Sequence, residues 1–209
     1  MRVDPGGRTM QGVSTLLAFV ALNLIYLLCC VPLVTIGAAT SALYEVTLRY
    51  ADEERGYLIK DYFVALRRNF LAATGIFLAL LAAVLVLAWV GVFWLAVDSP
   101  VSLAAAILAF LAAAYLLASL LYGLALVAAF RNTFGQTLKN ALLLPVVEPA
   151  HTLGILLLPI TTLALVVIFP SFLFILVTIG FSIGSYATAF LFRRVFRRHQ
   201  DDAAPSDSP

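Results

Sequence analysis

The chain has 209 residues, 63% of them hydrophobic and 11% charged, with a mean hydropathy of +1.05. Soluble domains carry about 25% charged residues, and a chain this apolar cannot hide its surface in one water-soluble core. That excludes the soluble classes and leaves an integral membrane protein; the net charge of +2 is too small to point to nucleic acid.

No Asp, Glu, Lys or Arg occurs at 70–97, 100–130 or 152–192. Taken in chain order, residues 13–31 predict a first helix, with Asn23 as its one strongly polar side chain. Its apolar run is too long for the core of a cleaved signal peptide, so it reads as a retained span. Cys29 and Cys30 are adjacent, a poor geometry for a mutual disulfide, and read as small buried residues. A turn follows at 32–37, where Pro32 and Gly37 both interrupt helix. Residues 38–50 predict a shorter, more polar helix of about 20 Å. It is expected to tuck against other helices rather than face lipid.

Residues 52–56 are a hydrated loop. Ile59, Tyr62, Phe63, Leu66 and Phe70 then recur at helical spacing, with Lys60, Asp61, Arg67 and Arg68 largely opposite. This predicts an amphipathic helix at the membrane surface that leads into the next span. Long spans are expected at 70–97, with Trp89 and Trp94 near the outer end, and at 101–130. Residues 133–144 form a second juxtamembrane segment. Phe134, Lys139 and Asn140 echo Phe63, Arg68 and Asn69, a faint internal repeat. The uncharged stretch at 152–192 is twice the length of one crossing, so it divides at Pro170-Ser171 into helices at 152–169 and 171–192.

Two topologies compete. If 38–50 returns through the bilayer there are six segments, and all 13 basic residues lie on the cytoplasmic side. If it stays at the inner surface there are five, with Arg2 and Arg8 outside. Retention of basic residues in the cytoplasm favours six.

Few residues carry chemistry. Glu45 is the one acid in an apolar segment, and an intramembrane carboxylate suggests a proton relay, a cation site or a partner for Arg. Arg49, four residues on, makes a helix-end ion pair the plainer reading. Glu148 and His151 are too few for a metal site and read as a cap at a helix start. In the last helix Gly180, Gly184 and Thr188 form a ladder suited to helix packing. Thr178, Ser182 and Ser185 form a hydroxyl stripe that, with Asn23 and Glu45, is a candidate polar path. Such hydroxyls more commonly bond to carbonyls one turn back. Arg67, Arg68, Arg131 and Lys139 are candidates for docking a partner or lipid. No catalytic set, metal site or cofactor motif is found.

The Pro32-Leu33-Val34-Thr35-Ile36-Gly37 turn and the downstream Ala42-Leu43-Tyr44 resemble the YesL-like family of bacterial membrane proteins, a family of unknown function. The aromatic-basic segment from Asp61 to Phe70 and the Leu138-Lys139-Asn140-Ala141 block fit the same pattern. The resemblance covers about residues 14–198, and Leu27-Leu28 depart from the family's Trp-Leu. It marks Pro32, Thr35, Gly37, Leu43 and Tyr44 as the family turn and helix, and supplies no catalytic residues. Genes of this family often lie beside carbohydrate-uptake and polysaccharide-degradation genes, which implies an accessory role in sugar import.

The expectation is therefore an all-α polytopic membrane protein of five or six membrane segments with amphipathic cytoplasmic segments. Residues 1–198 form one helical domain and 199–209 a disordered polar tail. It is expected in the bacterial plasma membrane with its C-terminus in the cytoplasm, as a non-enzymatic accessory or regulatory component. No cofactor or nucleic acid is expected; the partners are the lipid bilayer and a transporter subunit or other membrane protein. The alternative is a small permease or flippase.

Overall fold

A computed structural model of the chain describes residues 8–53 and 57–203. All secondary structure in these residues is helical. The elements are α1 (Arg8–Cys30), α2 (Ile36–Glu53), α3 (Leu58–Leu95), α4 (Pro100–Ala129), α5 (Phe134–Val147), α6 (Pro149–Ile168), α7 (Phe172–Ile175) and α8 (Phe181–Ala203). A single 3-10 turn, Leu33–Thr35, links α1 to α2, and a π-helical turn, Leu176–Gly180, links α7 to α8. Five stretches are long and apolar enough to cross a membrane: Gly12–Cys30, Leu58–Leu95, Pro100–Ala129, Pro149–Ile168 and Phe172–Arg198. The fold is that of a polytopic helical membrane protein embedded in a lipid bilayer.

Local chemistry sets the helix ends. Ser99 caps α4, with Pro100 in the first turn, where its missing N–H costs nothing. Thr133 and Gln136 form a reciprocal capping box at the start of α5. Arg2 and residues 204–209 lie outside the described residues. α8 runs through Ala203, past the tail boundary expected at 198.

α2 is the centre of the bundle. Ala38, Ala39 and every residue from Ser41 to Leu48 are buried. One face, through Tyr44 and Leu48, joins a core with Ile76, Phe77, Tyr122 and Phe192. The other, through Ala39, Leu43 and Val46, joins Phe19, Leu22 and Tyr62. Small residues permit this depth: a Cβ at Gly37 would run into Phe77 Cβ and lie 2.9 Å from the Ala73 carbonyl oxygen.

The depth of α2 bears on the topology. The helix has 18 residues, a length of about 27 Å that nearly matches the hydrocarbon thickness. Near its start, Thr40 Oγ1 lies 3.2 Å from Tyr26 Oη; near its end, the Tyr50 ring packs at 5.4 Å on Phe19. α1 and α2 are therefore antiparallel where they pack, from the Tyr26–Thr40 contact to the Phe19–Tyr50 contact. α2 itself is not among the five stretches long and apolar enough to cross a membrane.

Two expectations are corrected. Residues 58–70 lead into the following span, as expected, but are not a distinct surface helix. They are collinear with the following span in the single 38-residue α3, about 57 Å long and nearly twice the hydrocarbon thickness. No Gly or Pro between Leu58 and Thr74 breaks it. Its buried stripe is Leu58, Tyr62, Ala65, Asn69, Ala73 and Ile76, against α1 and α2; Ile59, Phe63 and Phe70 face outward. The echo between 63–69 and 134–140 does not extend to environment either: Asn69 is buried, whereas Asn140 is exposed.

Candidate functional site: the arginine-lined end of the bundle

The end of α2, the first turns of α3, the end of α4 and the end of α8 meet at one end of the molecule. Glu45, on α2, is 6% exposed. One carboxylate oxygen accepts from Arg49 at 2.8 Å and from Arg68 of α3; the other accepts from Asn69 Nδ2 at 2.9 Å. Asn69 also reaches Ser41 Oγ at 3.4 Å. Glu45 thus accepts from three donors, two of which, Arg68 and Asn69, tie α2 to α3, beyond the single helix-end pair expected. The i,i+4 spacing of Glu45 and Arg49 was visible in the sequence; Asn69 as a ligand of Glu45 was not, because it comes from another helix.

A second carboxylate ties in α8. Asp52 accepts from Arg193 and, at 3.3 Å, from Arg197, while Arg193 also donates to the Ala51 carbonyl. Between these two clusters opens a cavity of about 810 Å3, walled by Arg49, Arg68, Arg131, Arg193 and Arg197 with Glu45 and Asp52. Of the docking candidates, Arg68 and Arg131 line this cavity, whereas Arg67 and Lys139 are exposed and do not.

The candidate polar path is not one site. Asn23 donates to the carbonyls of Leu176 and Val177, at 3.2 and 2.6 Å, and accepts from the Ser182 amide at 3.0 Å. These are groups freed by the π-helical turn, whose wide winding breaks the usual i→i−4 bonding. Asn23 is therefore a cross-helix cap for that turn. Ser182 is buried beside it, with Oγ 3.5 Å from Asn23 Oδ1. Ser185 pairs instead with Thr47 of α2 at 2.8 Å. Thr178 is exposed and bonds back to the Phe174 and Ile175 carbonyls. Glu45 belongs to the arginine end.

The remaining candidates have local roles. Thr35 Oγ1 donates to the Cys29 and Pro32 carbonyls, closing the turn between α1 and α2. Leu43 is buried, and Tyr44 packs edge-on against Phe192 at 5.3 Å. A Cβ at Gly184 would meet nothing within 4 Å, and at Gly180 it would meet only Leu176 and Ile175 of the preceding turns. Neither glycine seats a neighbouring helix among the described residues. Glu148 precedes α6 but makes no side-chain cap. Its carboxylate meets His151 Nδ1 at 3.0 Å and Arg198 at 3.5 Å, because α8 returns beside the start of α6 and offers a cation. Cys29 and Cys30 are free thiols. Among the described residues, no group of three or more His, Cys, Asp or Glu side chains is placed to hold a metal ion.

No curated protein and no solved structure matches the chain. Residues 19–91 match the model of a family described as "Protein of unknown function, DUF624". The matched stretch runs from the buried Phe19 through the Pro32–Gly37 turn and the Glu45–Arg68–Asn69 contacts to Gly91, so it contains the helix on which the bundle is built. Over this segment, the chain is similar to the DUF624, or YesL-like, family of membrane proteins of unknown function.

Proposed function

We propose that this protein is a non-enzymatic accessory or regulatory component of the bacterial plasma membrane, linked to carbohydrate uptake. It acts as one helical domain over residues 1–198, with the arginine-lined end and the C-terminus in the cytoplasm, and docks a membrane partner such as a transporter subunit. The link to sugar import comes from the family resemblance; the orientation comes from the gathering of basic residues at one end.

One observation carries the docking reading. Asn23, Ser182, Ser185, Glu45 and Asn69 are used in contacts within the chain, whereas Arg67 and Lys139 stand exposed with no ion pair among the described residues. Unpaired exposed cations favour an acidic surface on a partner. The permease alternative is weakened because Asn23, Glu45 and Ser185 belong to three separate contact sets and Thr178 faces outward.

The test is purification from native membranes after mild cross-linking, with the wild type beside Arg67→Glu/Lys139→Glu. A co-purifying transporter subunit that the charge reversal removes supports the reading. Recovery of the chain alone, or a partner indifferent to the reversal, counts against it.

A further inference from the structure

We infer that the arginine-lined cavity is a binding site for a phosphate-bearing anion. The inference is independent of the docking reading, which concerns the exposed Arg67 and Lys139. Cytoplasmic retention requires only that arginines lie on one side of the membrane; it does not require that five of them, from four helix ends, wall one cavity. Against them the lining offers two carboxylates, Glu45 and Asp52, so its formal charge is 5 − 2 = +3.

The pairing leaves donors unused. Each carboxylate is shared by two guanidiniums: Glu45 by Arg49 and Arg68, Asp52 by Arg193 and Arg197. Arg49 has one further acid, Asp61, at 3.6 Å. Arg131 makes no ion pair or hydrogen bond among the described residues. Arg193 is 18% exposed, and its buried Nε–H has no acceptor. Thr137, 3% exposed, lines the same wall and makes no side-chain hydrogen bond among the described residues.

A phosphate group matches this set. Guanidinium forks bind its oxygens bidentately, and a group of two negative charges offsets most of the surplus of three. A simple carboxylate would satisfy fewer donors. The group could arrive on a soluble phosphorylated molecule or on the headgroup of an anionic phospholipid, since the cavity lies at an end of the bundle and is also lined by Ala72, Val127 and Phe196. The chemistry at the arginines is the same.

The experiment uses the full chain in phosphatidylcholine nanodiscs. Thermal unfolding is followed while inorganic pyrophosphate is titrated at constant ionic strength, with sodium chloride as the control. A second arm uses discs containing phosphatidylglycerol and counts the lipid retained after delipidating washes. The variants are Arg131→Gln, which breaks no contact within the chain, and Arg194→Gln, an exposed arginine on α8 outside the cavity. Saturable stabilisation by pyrophosphate, weakened about tenfold by Arg131→Gln and unchanged by Arg194→Gln, supports the site with a soluble ligand. No effect of pyrophosphate, but retention of phosphatidylglycerol that Arg131→Gln abolishes, supports it with a lipid headgroup. Absence of both responses, or responses equal for the two variants, overturns the inference.

Discussion

The Asn23 side chain of α1 accepts a hydrogen bond from the Ser182 backbone amide at 3.0 Å, across 159 positions of chain. Two residues that would line the same polar path instead hold one helix to the irregular turn of another. In hydrocarbon an orphaned amide or carbonyl has no water to turn to, so the cap has to come from a side chain.

Asn23→Ala therefore leaves the Ser182 amide and two carbonyls without their partner. A loss of about 1–2 kcal/mol in unfolding free energy is expected. Thr178→Val, at an exposed position whose hydroxyl bonds only within its own helix, is expected to change stability by less than about 0.5 kcal/mol. Unfolding in mixed micelles compares the two; equal losses would refute the capping role.

Glu45→Ala strands Arg68 and Asn69 on α3 and is expected to cost about 2 kcal/mol, since both arginines keep some access to water. A double-mutant cycle of Glu45→Ala with Asn69→Ala is expected to show coupling of about 1 kcal/mol. Additive losses would mean that the contact contributes nothing.

Gly37→Val places side-chain atoms where α2 meets Phe77 and the Ala73 carbonyl. Destabilisation of about 1–3 kcal/mol is expected, with a lowered Tm in detergent. At Gly135, where a Cβ meets nothing within 4 Å, Gly135→Ala is expected to stabilise α5 by about 0.5–1 kcal/mol. A Gly37→Val protein as stable as wild type would show that α2 and α3 do not approach this closely.

Orientation can be read by labelling single cysteines in a Cys29→Ser/Cys30→Ser background with an impermeant maleimide. Lys60→Cys, Lys139→Cys and Arg194→Cys are expected to react only after the membrane is opened, and Asp98→Cys in intact cells. Labelling of Lys60→Cys and Asp98→Cys from the same side would contradict the bundle, because they lie toward opposite ends of α3 and its following turn.

The spans were legible because hydrocarbon imposes a one-dimensional rule: a crossing helix must be long and uncharged, and that is visible in a run of residues. The turns at Pro32–Gly37 and Pro170-Ser171 were legible for a related reason, since Pro and Gly act through local backbone geometry. The face of α3 was not. Ile59, Phe63 and Phe70 share helical spacing with Tyr62, and hydrophobicity does not distinguish a face against protein from one against lipid.

From the amino-acid sequence alone, the class, the spans, the basic side and the Glu45–Arg49 pair follow, because each depends on composition or on neighbours a few residues apart. Only the tertiary structure decides that α2 is the central helix, that Asn23 caps a turn of the last span, and that Asn69 completes the Glu45 cluster. It also decides that Arg68, Arg131 and Arg193, spread over more than a hundred positions, wall one cavity. The physical reason is that side-chain pairing energies act over a few ångströms in space, and the chain brings those groups within that range only after its helices have packed.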